Sequence, residues 1–122
     1  MNPVMHVEIP VADLTRAIEF YQRWLQVVID APVPVHDCMM AYLPFDDDAD
    51  GASLALVQGA DYRPTEQGAR IYIGVDDLGA SLARALQAGA TLRFGPAQAG
   101  EWHVAEIADS EGNRIAVQAP AA

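Results

Sequence analysis

The chain has a single cysteine, Cys38, so an internal disulfide and a cysteine-rich zinc site are both excluded. Basic residues are scarce: seven Lys+Arg stand against 17 Asp+Glu, for a formal net charge of −10. That balance argues against a nucleic-acid backbone or an anionic membrane surface as partner, and weakly favours cationic ligands over anionic ones. The longest apolar stretch, Cys38 to Phe45, is interrupted by Pro44 and is too short to span a membrane. The opening residues, Met1 to Glu8, lack the basic region and apolar core of a signal peptide, so a cytoplasmic location is expected. No Gly-x-Ser-x-Gly elbow occurs, and Gly59 to Pro64 holds no glycine pattern for phosphates. What remains is globular in character, with 52% hydrophobic and 20% charged residues in 122 positions. That length suits one domain, or two half-domains sharing a core, because a lone unit of about 60 residues buries too little surface to stand alone.

An internal repeat is the most informative feature present. Val7-Glu8-Ile9-Pro10-Val11-Ala12-Asp13-Leu14 reappears 64 residues later as Ile71-Tyr72-Ile73-Gly74-Val75-Asp76-Asp77-Leu78. Each copy reads as a half-buried strand running into a helix, with Asp13 or Asp77 placed to accept backbone N–H groups of the first turn. The first helix aligns Leu14, Ala17, Ile18, Tyr21 and Leu25 on one face, and the second aligns Leu78, Ser81, Leu82, Ala85 and Leu86. Gly89 suits the position just past the second helix. Strand-like runs follow: Met39 to Phe45 and Ser53 to Gln58 in the first half, Trp102 to Ala108 and Arg114 to Gln118 in the second. Short strands near Val27 to Ile29 and Thr91 to Phe94 are expected to precede these hairpins. Each half therefore reads βαβββ, as one domain over residues 1–122. Module one spans 1–60, a linker 59–68 and module two 69–122.

Period-2 geometry sorts the opening strands into two faces. Val7, Ile9 and Val11 turn to the helix, leaving His6, Glu8 and Pro10 opposite; Ile71, Ile73 and Val75 do the same, leaving Arg70, Tyr72 and Gly74. A sheet curving round the second set would line a concave pocket with a histidine, a carboxylate, a guanidinium and a phenol. Glu8 and Arg70 are expected to form an ion pair. Tyr42, Tyr72, Phe94 and Trp102 are read first as core aromatics, although Tyr72 is on the pocket face and Trp102 opens a strand near the rim. Asp46-x-Asp48-x-Asp50-Gly51 imitates the start of a calcium loop, but Val57 stands where the bidentate Glu is needed, so a solvated acidic hairpin is expected. Cys38 reads as a buried structural thiol.

The segments His6-Val7-Glu8-Ile9-Pro10-Val11-Ala12-Asp13-Leu14, Ala17-Ile18-Glu19-Phe20-Tyr21, Val75-Asp76-Asp77-Leu78 and Asp109-Ser110-Glu111-Gly112-Asn113-Arg114-Ile115 resemble the vicinal oxygen chelate superfamily of glyoxalase, bleomycin-resistance and dioxygenase-like domains. The resemblance covers nearly the whole chain. It implies an α+β fold of two βαβββ modules forming a cup-shaped eight-stranded mixed sheet with the helices on the outer face, and commonly a homodimer. It does not fix a reaction, since one fold serves many chemistries.

The resemblance also implies where a metal would be held, with one ligand in the opening strand and one in the final strand of each module. The first slot is His6. The matching slot is Arg70, which has no lone pair to give. The final-strand slots fall at Ala116 and at Leu56 within a residue or so, where Ala55 and Val57 do no better. One donor of four survives, so neither the family's metal centre nor any other cofactor is expected. A relocated site from His6, Glu8 and His103 is the alternative. The ligand-facing set is His6, Glu8, Tyr42, Gln58, Arg70, Tyr72, Trp102 and His103, with Glu8 and His6 as the acid–base pair if the chain is an enzyme. Three functions stay open: a metal-independent protein binding a small molecule, such as a planar cationic glycopeptide antibiotic; a lyase, isomerase or dioxygenase-type enzyme on a small oxygenated substrate; and an interaction module with a filled cup.

Overall fold

Alternating apolar residues in each half pair into two four-stranded sheets, each backed by one helix. The structure, a computed structural model, describes residues 2–45 and 50–121. Strands and helices follow in the order β1 (His6–Pro10), α1 (Leu14–Leu25), β2 (Val33–Val35), β3 (Cys38–Tyr42), β4 (Ser53–Gln58), β5 (Ile71–Gly74), α2 (Leu78–Gln87), β6 (Thr91–Ala99), β7 (Trp102–Ala108) and β8 (Arg114–Pro120). The sheet orders are β1-β4-β3-β2 and β5-β8-β7-β6, with one parallel pair in each, β1 with β4 and β5 with β8. Among the described residues, eight strands thus form two mixed sheets with no ladder between them. Asp46 and Asp48 of the calcium-loop imitation lie outside the described residues.

The N-caps are those the sequence predicts. Asp13 Oδ1 accepts from Arg16 N at 3.1 Å, and Asp77 Oδ1 accepts from Ala80 N at 3.1 Å. The helix faces differ in part: α1 buries Leu14, Ala17, Phe20, Tyr21 and Trp24, while Ile18 and Leu25 only flank the core. On α2, Leu78, Ser81, Leu82 and Ala85 are buried and Leu86 is exposed. The reason is that α1 packs against α2 as well as its own sheet, so its apolar arc is wider than one sheet requires. One contiguous core joins both halves, with Ile9, Leu56, Ile107, Ile115 and Val117 facing the helices. At the helix–helix contact Trp24 Nε1 donates to Ser81 Oγ at 2.9 Å, both residues fully buried.

The segment Val27 to Ile29 is not a strand. Ile29 is buried and its N–H donates to Gln22 Oε1 at 2.9 Å, which commits this stretch to the helix. The strand of this position is β2, an edge strand that tolerates Pro34 because one side of its backbone needs no partner. On the other sheet β6 extends to Ala99 across two register shifts. Gly95 sits within the second shift at φ +83, where an added Cβ would lie 2.8 Å from Val104 O.

The loop between β7 and β8 is more than a turn: it locks the two halves together. Asp109 accepts from Tyr21 Oη at 2.5 Å and from Asn113 N at 2.9 Å, while Asn113 Nδ2 donates to Pro10 O at 2.7 Å. Burial raises the Tyr21 phenol well above its usual range, and the adjacent Asp109 carboxylate reinforces this. Glu111 reaches across to α1, accepting from Ala12 N at 3.0 Å, Asp13 N at 2.9 Å and Arg16 through two nitrogens at 2.8 Å.

Burial alone would raise the Glu111 carboxyl, but Arg16, the Asp13 N–H and the Ser110 hydroxyl together outweigh it and hold it at about 2. An unfolded glutamate titrates near 4.3, so this contribution is complete above about pH 4.3 and is lost as the pH falls towards 2. The Glu111→Gln variant is therefore expected to be less stable than the parent at pH 7, by about 1–2 kcal/mol. Urea melts across pH 2–7 should show the gap closing on acidification. A gap that stays constant would contradict the assignment.

Candidate functional site

Each sheet has a helix-covered face and an open one, and the ladder registers state which side chains share the open face. On the first sheet Glu8, Ala55 and Tyr42 form one row across β1, β4 and β3, with His6 beside Ser53 in the next. On the second, Tyr72, Ala116, Glu106 and Phe94 form a row across β5, β8, β7 and β6. The aromatics Tyr42, Tyr72, Phe94 and Trp102 are not core residues as the composition suggests. They are 37%, 50%, 48% and 43% exposed and project from these faces. Burial falls instead on Phe20, Tyr21 and Trp24 of α1.

On the first sheet Tyr62, from the connection between the halves, donates to Glu8 Oε1 at 2.6 Å. His6 Nε2 lies 3.2 Å from Glu8 Oε2, and His6 Nδ1 lies 2.7 Å from Ser53 Oγ. Below them Met40, Ala55 and Val57 form a small apolar cluster flanked by Cys38 and Tyr62, with Cys38 half-buried. The hydrogen bond to Glu8 raises the Tyr62 phenol to about 12. Glu8→Gln is expected to return the Tyr62 titration towards 10, read by NMR of ring-labelled tyrosine. An unchanged value would break the pairing.

The expected Glu8–Arg70 ion pair does not form. Arg70 Nε lies 3.1 Å from Glu106 Oε1 on its own sheet, and the same oxygen accepts from Arg114 Nε at 2.7 Å. The two opening strands belong to separate sheets, so no strand ladder sets Glu8 against Arg70. Glu8 and Arg114 do line one crevice of about 210 Å³ between the halves, together with Pro10, Thr65, Ile71 and Asn113.

Two further expected site residues point elsewhere. Gln58 follows Leu54 and Leu56 on the helix side of β4, and its Oε1 accepts from Leu14 N at 2.8 Å, capping α1. His103 lies opposite Gln98 and Ala119, in phase with Ala105 and Ile107 rather than with Glu106, and so faces away from the row containing Ala116. His6, Glu8 and His103 therefore do not converge. Among the described residues no group of three His, Cys, Asp or Glu side chains could hold a metal ion.

The four slots of the family's metal centre can now be read from the ladders. Ala116 is opposite Tyr72, two residues beyond Arg70; the corresponding partner of Glu8, two residues beyond His6, is Ala55. The first module's final-strand slot is thus Ala55 and not Leu56, which is buried in the core on the other face. His6, Ala55, Arg70 and Ala116 offer one lone-pair donor, two methyl groups and a guanidinium held by Glu106. This set does not fit a divalent ion.

Comparison with known proteins agrees with this architecture. Residues 4–117 match the Glyoxalase/Bleomycin resistance protein/Dioxygenase superfamily. The lactoylglutathione lyase of Haemophilus influenzae is 29% identical over 119 residues, covering 92% of this chain and 88% of that protein. Among solved structures, TnmS3, an antibiotic binding protein from Streptomyces sp. CB03234, superposes with a TM-score of 0.76 at 25% identity, over 99% of this chain and 98% of that one. The trypanothione-dependent glyoxalase I of Leishmania major shares the fold, with a TM-score of 0.73 at 22% identity over 98% and 87% of the two chains. On the match over residues 4–117 and the doubled βαβββ order, this chain belongs to the Glyoxalase/Bleomycin resistance protein/Dioxygenase superfamily.

Proposed function

We propose that this chain binds a small organic molecule on its open sheet faces without a metal ion, and that two copies pair so that these faces together enclose the ligand. The observation that carries the reading is the chemistry of the four slots: methyl groups at Ala55 and Ala116 and an ion-paired guanidinium at Arg70 stand where three electron-pair donors would be needed, while exposed aromatic rings project from the same faces. Half-exposed aromatic rings beside small residues suit a planar apolar ligand, since such rings contribute large contact area at little entropic cost. The similarity to an antibiotic binding protein supports a small organic molecule as the ligand. Pairing of two copies is supported by the aromatics that each open sheet face leaves exposed in a single chain.

The test is a thermal-shift and calorimetric screen of planar aromatic metabolites and antibiotics against the full chain in EDTA. A ligand that stabilises the protein in chelator, and that binds about tenfold more weakly to Tyr72→Ala, is the expected result. Absence of any stabilising ligand, or binding that chelator abolishes, would overturn the reading. Acid–base catalysis by Glu8 and His6 is the competing function. Turnover of a bound ligand that vanishes in Glu8→Gln would favour it.

A further inference from the structure

We propose that the open face of the second sheet recognises an oxyanion on the ligand, a carboxylate or its equivalent, through the guanidinium groups of Arg70 and Arg114. The inference rests on the small-molecule reading above and adds the chemical group by which the ligand is held. It runs against the overall charge of −10, which by itself favours cations. Screening confines that argument to distant charges: beyond about 8 Å at physiological ionic strength the neighbouring groups decide.

Those neighbours are positive. Of the seven basic residues, Arg70, Arg93 and Arg114 gather around two carboxylates, Glu66 and Glu106. Glu66 is taken by Arg93, through Nε at 2.8 Å and Nη2 at 3.0 Å. Arg93 lowers the Glu66 carboxyl most, and Arg114 and Arg70 act in the same direction. Glu106 faces both remaining arginines through one oxygen, 2.7 Å from Arg114 Nε and 3.1 Å from Arg70 Nε. Among the described residues, three guanidinium groups thus share two carboxylates, so the combined charge of Arg70 and Arg114 is only half matched within this cluster, and Glu8, the carboxylate lining the crevice, is ion-paired to neither. Glu8, which shares the crevice with Arg114, is occupied by Tyr62 and His6.

The geometry leaves that charge usable. Among the described residues, the side-chain hydrogen bond of Arg114 engages only its Nε, so both Nη groups can donate to another acceptor. Arg70 donates Nη1 to Glu66 O at 3.3 Å, and among the described residues its Nη2 has no hydrogen-bond acceptor. Glu106, with its side chain 16% exposed, fixes both forks from below, so little rotamer freedom is lost when a ligand oxygen arrives. Next to them lies the row Tyr72, Ala116, Glu106, Phe94, in which the rings of Tyr72 and Phe94 are half-exposed while Ala116 is buried. A planar ring stacked on the exposed Tyr72 would direct an attached carboxylate at the two arginines.

The test compares 2-naphthoate with 2-naphthamide, probes of one shape that differ in charge, by calorimetry and amide-resolved NMR on the full chain in EDTA. Naphthoate should bind about tenfold more tightly, and both probes should shift the amides of Tyr72, Arg114 and Ala116. Arg114→Gln should narrow the gap between the probes to within about twofold. Should that variant not fold, raising the salt on the native chain should weaken naphthoate and leave naphthamide unaffected. Equal binding of the two probes to this face would overturn the oxyanion proposal and leave the small-molecule reading intact. No shift of this face by either probe at millimolar concentration would overturn both.

Discussion

Trp24→Ala is expected to cost about 3–5 kcal/mol, a large part of the roughly 5–15 kcal/mol that holds a domain of this size together. Trp24 is fully buried and packs against the rings of Phe20 and Tyr21 at centroid distances of 5.8 and 5.6 Å. Its indole N–H supplies Ser81 Oγ, on the helix of the other half, with a buried hydrogen bond. Truncation would leave a cavity where the two helices meet and an unpartnered hydroxyl, two separate costs at one place. Urea denaturation should show the loss as a lower midpoint, with both sheets still unfolding together. A loss below about 1 kcal/mol would mean that the halves are joined chiefly by the Asp109–Asn113 loop.

The combination of Ala55→Glu, Arg70→His and Ala116→Glu is expected to create a divalent metal site where the parent has none. Together with His6 these changes supply four donors at the positions that the ladders assign. Both alanines lie on the sheet faces away from the helices but are fully buried, so each longer side chain must displace its neighbours, at about 1–3 kcal/mol each. Removing Arg70 also removes a positive charge that would repel the ion. Because the donors come from both modules, the site forms only where the open faces of two modules meet, as pairing of two copies would allow. The folded triple variant should retain stoichiometric zinc through desalting, with the parent protein retaining none. A folded variant that takes up no metal would show that the register assignment of Ala55 and Ala116 does not describe the ancestral ligand positions.

The doubled strand–helix order was legible because it rests on local chemistry: β-branched alternation in Val7 to Val11 and Ile71 to Val75, followed each time by a capping aspartate. What escaped was whatever depends on contacts between distant segments. Trp24 and Phe20 are buried because α1 touches α2, and a single-helix pattern carries no record of that second neighbour. Tyr62 lies in an irregular connection with no period to read, yet it holds Glu8. Gln58 looked available because a polar residue ending a strand usually is, whereas here it caps a helix. Alternation along β7 places His103 on the face opposite Glu106, a signal that the sequence itself carries. The absent metal donors at Arg70 and Ala116 were readable at once, because they depend only on residue type at a fixed spacing. Assigning Ala55 instead of Leu56 needed the ladder.

Local charge carries the same lesson. The balance of −10 is a sum over the whole surface, and it hides a face where arginines outnumber carboxylates. Only the folded arrangement brings Arg93 from β6, Arg114 from β8 and Arg70 from the start of β5 to the same place.

The most direct test is elemental analysis of the native protein, purified without chelator, paired with calorimetry of its best ligand before and after EDTA treatment. The account predicts far less than one bound transition-metal ion per chain and an affinity that EDTA leaves unchanged. One tightly held zinc, nickel, iron or manganese per chain, lost together with ligand binding in His6→Ala, would contradict it.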